Sequence, residues 1–131
     1  MTEVSPDKVL LDQEMKSRNL DPSPISLLDK VKIEGRVWED LCEQYGVDNP
    51  DPPWKVTLDA TCEVLAEVSC SIPVLERRWE EDELSEDLYA DVPFPERQLL
   101  ALAHSMIRRG LMDEAELAKH MTAVEKRLNM A

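Results

Sequence analysis

The sequence predicts an all-α protein, a small antiparallel bundle of about four helices behind an extended, partly helical N-terminal arm. Three observations predict it. Apolar residues after Trp54 recur at spacings of three and four, the periodicity of one helix face. Glycines number only 3 and aromatic residues 5%, too few turn and strand formers for a barrel or sandwich. Prolines stand between the periodic segments, where they open helices or separate them.

A chain of 131 residues fits one domain, and its 43% hydrophobic content is ordinary for a globular protein. The formal net charge of −13 disfavours nucleic acid and anionic membrane surfaces, both of which need a basic footprint. It suits a partner with a basic face. Cys42, Cys62 and Cys70 are odd in number and lack a close CxxC spacing, so neither a disulfide framework nor a zinc knuckle is expected. The N-terminus is polar and acidic, without the apolar core of a signal peptide. No apolar run approaches the roughly 18 residues of a membrane span. The expectation is a reduced, cytoplasmic protein.

The proline cluster Asn49-Pro50-Asp51-Pro52-Pro53 divides the chain into an arm (1–53) and a helical domain (54–131). Within the arm, residues 6–20 suggest a short helix anchored by Val9, Leu10 and Leu20, broken at Asp21-Pro22-Ser23-Pro24. A helix from about Ser26 to Tyr45 follows, with Leu28, Val31, Trp38, Leu41 and Cys42 on one side and Gly46 as its stop. The arm is expected to wrap a partner. Residues 54–70 place Leu58, Thr61, Cys62, Leu65 and Val68 at helical spacing. Pro73 opens a charged helix reaching Leu84, and Pro95 opens Glu96–Arg109, whose Leu99, Leu102, Ala103, Met106 and Ile107 form one stripe. Arg108 and Arg109 complement the macrodipole there, and Gly110 is placed for a left-handed cap. The last helix starts at Asp113, capped with Glu116, and continues through Leu117, Met121, Val124 and Leu128.

Catalytic signatures are missing: no Gly-rich phosphate loop, no Gly-x-Ser-x-Gly elbow, no His-Glu-x-x-His. His104 and His120 lie on separate helices and are expected to pack, cap or face solvent. The run Glu80-Glu81-Asp82-Glu83, with Glu86 and Asp87, lacks the alternation and central glycine of a calcium loop and is expected to be a solvated face. Cys62 falls on its helix's apolar stripe, the place of a small core residue. One position is unusual. At about 100° per residue, Arg78 lies between Val74 and Leu75, with Trp79 beyond, whereas Glu76 and Arg77 fall on the polar side. Arg78 either snorkels or is held in an interface by acceptors its planar fork can reach.

From Trp54 to Leu128 the chain resembles the helical N-terminal region of nitrile hydratase β subunits, and the thiocyanate hydrolase β subunit more closely. Ala60-Thr61-Cys62-Glu63-Val64-Leu65-Ala66 resembles the start of that family's first helix. Ile72-Pro73-Val74-Leu75-Glu76-Arg77-Arg78 is similar to its aromatic-x-x-x-Glu-x-Arg turn. Pro93-Phe94-Pro95-Glu96-Arg97-Gln98-Leu99, Arg109-Gly110-Leu111-Met112 and Glu114-x-Glu116-Leu117 follow its Pro-Tyr-Tyr-Glu-Arg helix, its Gly-Leu/Ile turn and its final helix. The motifs are short, and their order and spacing over three helices carry the likeness.

The resemblance implies a subunit with no metal or cofactor of its own. Cobalt or iron sits in the family's metal-bearing α-like subunit, inside a Cys-x-x-Cys-Ser-Cys claw with partly oxidised cysteines, and this sequence has no claw. Arg78 matches a β-chain arginine that hydrogen-bonds those oxidised sulfurs. Phe94 and Pro95 stand where nitrile hydratases have a tyrosine pair, so Phe94 offers the substrate pocket an apolar wall without a hydroxyl. The sequence stops at Ala131 without the family's SH3-like barrel, which implies a separate barrel subunit. The expected function is a non-metal-binding β-type subunit of a nitrile hydratase or thiocyanate hydrolase-like enzyme. The alternative from the same family is an activator, a chaperone escorting the catalytic chain during metal insertion. An unrelated helical adaptor would show the same apolar stripes.

Overall fold

The computed structural model describes residues 20–48 and 51–129, and the helix expected over 6–20 lies outside them except for Leu20. Among the described residues six α-helices follow in order: α1 Ser26–Glu34, α2 Trp38–Tyr45, α3 Lys55–Glu63, α4 Val74–Glu86, α5 Glu96–Arg108 and α6 Glu114–Asn129. No strand occurs among the described residues, and the all-α class holds.

Expected and observed boundaries differ first at Gly35. The single helix expected over Ser26–Tyr45 is two. Gly35 takes φ 62° and donates its N–H to the Lys32 carbonyl, so it ends α1 in the left-handed conformation that glycine adopts without Cβ strain. Val37 is extended (φ −120°, ψ 146°), and α2 restarts at Trp38, whose N–H is capped by Glu96 Oε1. Gly46 (φ 67°) stops α2 as expected.

Past Glu63, α3 continues as a π-helical turn over Val64–Val68, closed by the Ser69 N–H on the Val64 carbonyl at 3.0 Å. A wider turn rotates the following side chains off the α-helical stripe. Leu58 and Cys62, on the regular α-helical turns before it, are buried, while Val64 and Val68 within it face outward. Ile72 then returns to the core, and its N–H bonds the Leu65 carbonyl.

Helix α5 lies between two apolar clusters. On one side Ile25, Leu28, Leu84, Tyr89, Val92, Leu100 and Ala101 pack together, with Leu20, Val31 and Ile107 at the edge. On the other, Leu102 meets Leu58, Cys62 and Ile72, flanked by Trp54, Leu65 and Met106. Leu102, Ala103, Met106 and Ile107 of the expected stripe take part, but Leu99 stays 41% exposed, and Gln98, His104 and Ser105 are buried instead. A helix packed on both flanks buries more than a single stripe. Residues of the arm belong to this core, because Ile25 and Leu28 bury their side chains within the chain itself. Within the stretch expected to wrap a partner, Ile25 and Leu28 thus serve the chain's own fold, whereas Ile33 stays exposed.

The C-terminal end follows expectation. Gly110 (φ 75°) and Leu111 donate to the Ile107 and Met106 carbonyls and end α5, and Asp113 Oδ2 accepts the Glu116 N–H at 3.1 Å. Glu114 Oε1 accepts the Leu27 N–H at 3.0 Å, which ties the start of α6 to the start of α1. Beyond that tie no residue of α6 is buried, and Met121, Val124 and Leu128 remain exposed.

Candidate functional site

Helix α4 has an inner and an outer line. Glu80 and Leu84 lie four apart and share the side turned to the core, and Ile72, just before the helix, is buried as well. Val74, Leu75 and Arg78 point the other way, with Val74 43% and Leu75 60% exposed. The apolar arc that surrounds Arg78 is thus the outer surface of the molecule. This changes the choice posed by periodicity. Arg78 has no core to snorkel from, and no described residue holds it by a hydrogen bond or ion pair. Its neighbour Arg77, 100° around the helix, packs partly buried with Glu81 Oε1 at 3.7 Å.

Phe94 lies in the turn before α5, joined to Pro95 by a cis peptide bond, and most of its ring is exposed. Lys55 Nζ stands 5.5 Å from the ring centroid, within cation–π range. The same ammonium reaches Asp59 Oδ1 at 2.6 Å and Gln98 Oε1 at 3.0 Å. Phe94 is an apolar plate on the surface, backed by a fixed cation.

Two hollows of about 420 Å³ each lie elsewhere, and neither Arg78 nor Phe94 lines them. One is an apolar groove among α1, α3, α5 and α6, walled by Trp54, Leu58, Met106, Leu117 and Met121. The other opens between the α1–α2 joint and α5, near Gly35, Trp38, Trp54 and Glu96.

The acidic run is not uniformly a solvated face. Glu80 is 1% exposed, and its Oε2 meets Arg109 Nη2 at 3.0 Å. Arg109 also donates to the Ser71 carbonyl and lies 3.9 Å from Glu76 Oε2. Its charge is therefore turned sideways into a buried pair as well as ending α5. Glu81 is half-buried, and desolvation pushes its carboxyl pKa up despite Arg77 beside it. Arg108 likewise leaves the helix axis and donates to the Ser23 and Pro24 carbonyls at 2.8 and 3.1 Å.

His104 packs, as its sequence context suggested, and is fully buried. Nδ1 lies 2.8 Å from the Tyr89 hydroxyl and Nε2 2.8 Å from the Asp21 carbonyl. His120 is exposed. Cys62 is buried, and desolvation raises its thiol pKa, which suits a core residue and not a nucleophile. Cys70 is exposed in a left-handed conformation (φ 54°), and Cys42 is half-buried. Among the described residues no group of three or more His, Cys, Asp or Glu is arranged to hold a metal ion. No described helix is long and apolar enough to cross a membrane.

Compared with protein-family models, curated proteins and solved structures, the chain matches none.

Proposed function

We propose that this chain is a β-type subunit of a nitrile hydratase or thiocyanate hydrolase-like enzyme, docking through the outer face of α4 on a claw-bearing catalytic chain. In this reading Arg78 reaches across the boundary and donates to the sulfenate and sulfinate oxygens of that chain's metal-binding cysteines. Cobalt or iron would belong to the partner, where it would supply Lewis acidity toward substrate or bound water. A third chain supplies the SH3-like barrel.

The observation that carries the reading is the exposed arginine. Val74 and Leu75 surround a guanidinium that no described residue engages, on a helix anchored to the core by Glu80 and Leu84. An apolar rim around a planar donor fork is the composition of an interface centre, where arginine is enriched and water is excluded. The ordered likeness of three helical segments supplies the kind of partner.

The interface is tested by co-expression with a claw-bearing chain. Leu75→Asp, a charge on the proposed face, is expected to abolish co-purification, whereas Met121→Asp on exposed α6 is expected to leave it intact. Loss in the α6 variant with retention in the α4 variant would move the interface away from Arg78.

A further inference from the structure

Asp21-Pro22-Ser23-Pro24 has two residues without an N–H, so its carbonyls are left as acceptors that the segment cannot satisfy by itself. Helix α5 supplies the donors. His104 Nε2 bonds the Asp21 carbonyl at 2.8 Å, Arg108 Nη2 bonds those of Ser23 and Pro24, and Arg108 Nε lies 3.8 Å from Asp21 Oδ2. Residues 20–24 thus form a strap across α5, leading directly into Ile25 and Leu28 of the core.

The ring of His104 can serve this strap in only one protonation state without loss. A carbonyl oxygen accepts, so Nε2 must carry the proton in the neutral ring, which leaves Nδ1 to accept from the Tyr89 hydroxyl. The two rings meet edge to face at 5.8 Å. Tyr89 is fully buried, and Nδ1 is the one hydrogen-bond partner its hydroxyl has among the described residues. A second proton on the ring sets Nδ1–H against that hydroxyl, whose own hydrogen then has nowhere to go.

We propose that the His104–Tyr89 pair is a proton-operated latch on the strap 20–24, closed on the neutral ring and opened when His104 is protonated. The surroundings pull both ways, and burial prevails. Burial depresses the His104 pKa, and the Arg108 guanidinium on α5 adds to it. The Asp21 carbonyl, the Asp21 carboxylate on the strap and Asp29 on α1 act against it. Leu84 of α4 enters this cluster as an apolar contact, while Glu80 is taken by Arg109. A charged ring is relieved most simply by water, and the strap is what covers it. Lifting residues 20–24 hydrates the ring and leaves α4 packed on α5.

Hydrogen exchange of the full chain tests the latch, with His104 followed in parallel by NMR of its ring and exposed His120 as the control. After correction for intrinsic exchange, protection of the Ser23 amide in the strap and of the first turn of α1 behind it is expected to fall by up to about tenfold between pH 7.5 and 5.5, the ceiling for one proton bound with an ordinary pKa near 6.5. Protection of α4 and α5 is expected to persist, and the midpoint should coincide with the titration of His104. His104→Gln keeps a donor and an acceptor but cannot titrate, and is expected to remove the pH dependence. If that variant does not fold, the coincidence of midpoints in the unaltered chain decides. A strap that loosens while the ring is neutral, or stays protected after it is charged, overturns the proposal. So does a ring that stays neutral until the whole chain unfolds.

Discussion

Arg77 and Arg78 are adjacent in sequence and 100° apart on α4, and that rotation separates a structural arginine from a candidate donor. Arg77 packs beside Glu81, whereas Arg78 projects into solvent with Val74 and Leu75. Under the proposed function, Arg78→Lys is expected to leave folding and assembly intact but to lower turnover of the complex by about tenfold or more, the scale of lost partners to metal ligands. A point-charge ammonium cannot copy the bidentate fork. Steady-state turnover of the purified complex checks it, and unchanged turnover would remove Arg78 from the site. Glu80 makes a second prediction at this scale. Glu80→Gln leaves Arg109 facing a neutral partner in a buried place, and urea unfolding is expected to show a loss of about 3 kcal/mol. Replacing both residues by apolar ones, Glu80→Leu with Arg109→Met, should restore much of it. The position of Arg78 between apolar residues was legible from periodicity. That the arc faces outward was not, because alternation alone gives an angle and not the side on which the core lies. Glu80 was misplaced for a related reason: its partner is 29 residues away, and four acids in a row look like a solvated face whichever one is buried.

At the scale of elements, ends were more legible than faces. Gly46, Gly110 and Asp113 act as stops and caps where local chemistry placed them, since a left-handed turn or an N-cap depends on one or two residues. Gly35 obeys the same chemistry and splits the expected Ser26–Tyr45 helix, because a glycine inside a periodic stretch can be tolerated or can end it. Gly110→Ala tests the shared mechanism. The space around Gly110 is open, so a Cβ meets no neighbour, and the cost is conformational alone. Thermal or urea unfolding should show about 1 kcal/mol of destabilisation. The π turn at Val64–Val68 had no local signal. It alters the register of α3, so Val68 leaves the stripe that a regular helix would have given it.

For the whole molecule, one of the two clusters flanking α5 joins the described start of the arm to the helical domain, with Ile25 and Leu28 in the same core as Leu84 and Leu100. This cooperation has a pH dependence. The His104 pKa lies below its ordinary 6.5 in the folded chain, so the unfolded chain binds the proton more readily. The stability it contributes is full above pH 6.5 and is lost as pH falls from 6.5 toward the depressed folded value. Urea unfolding at pH 7.5 and 5.5 should therefore show a loss that His104→Gln does not share, a comparison that cancels the change in self-repulsion of a chain carrying −13. The partner lay beyond what one chain's folding physics specifies. An unengaged guanidinium on an apolar face states what an interface would offer, and under the proposed function a claw-bearing chain would meet it.

The central claim is a permanent partnership, and the stoichiometry of the active species tests it most directly. The chain is to be co-expressed with a claw-bearing chain, a barrel chain and cobalt, and the fraction hydrating nitrile or hydrolysing thiocyanate examined by native mass spectrometry. A subunit predicts this chain at a fixed ratio to the claw-bearing chain in the metal-loaded, active fraction. Its recovery only with metal-free catalytic chain, and its absence from the active one, would contradict that and identify an escort for metal insertion.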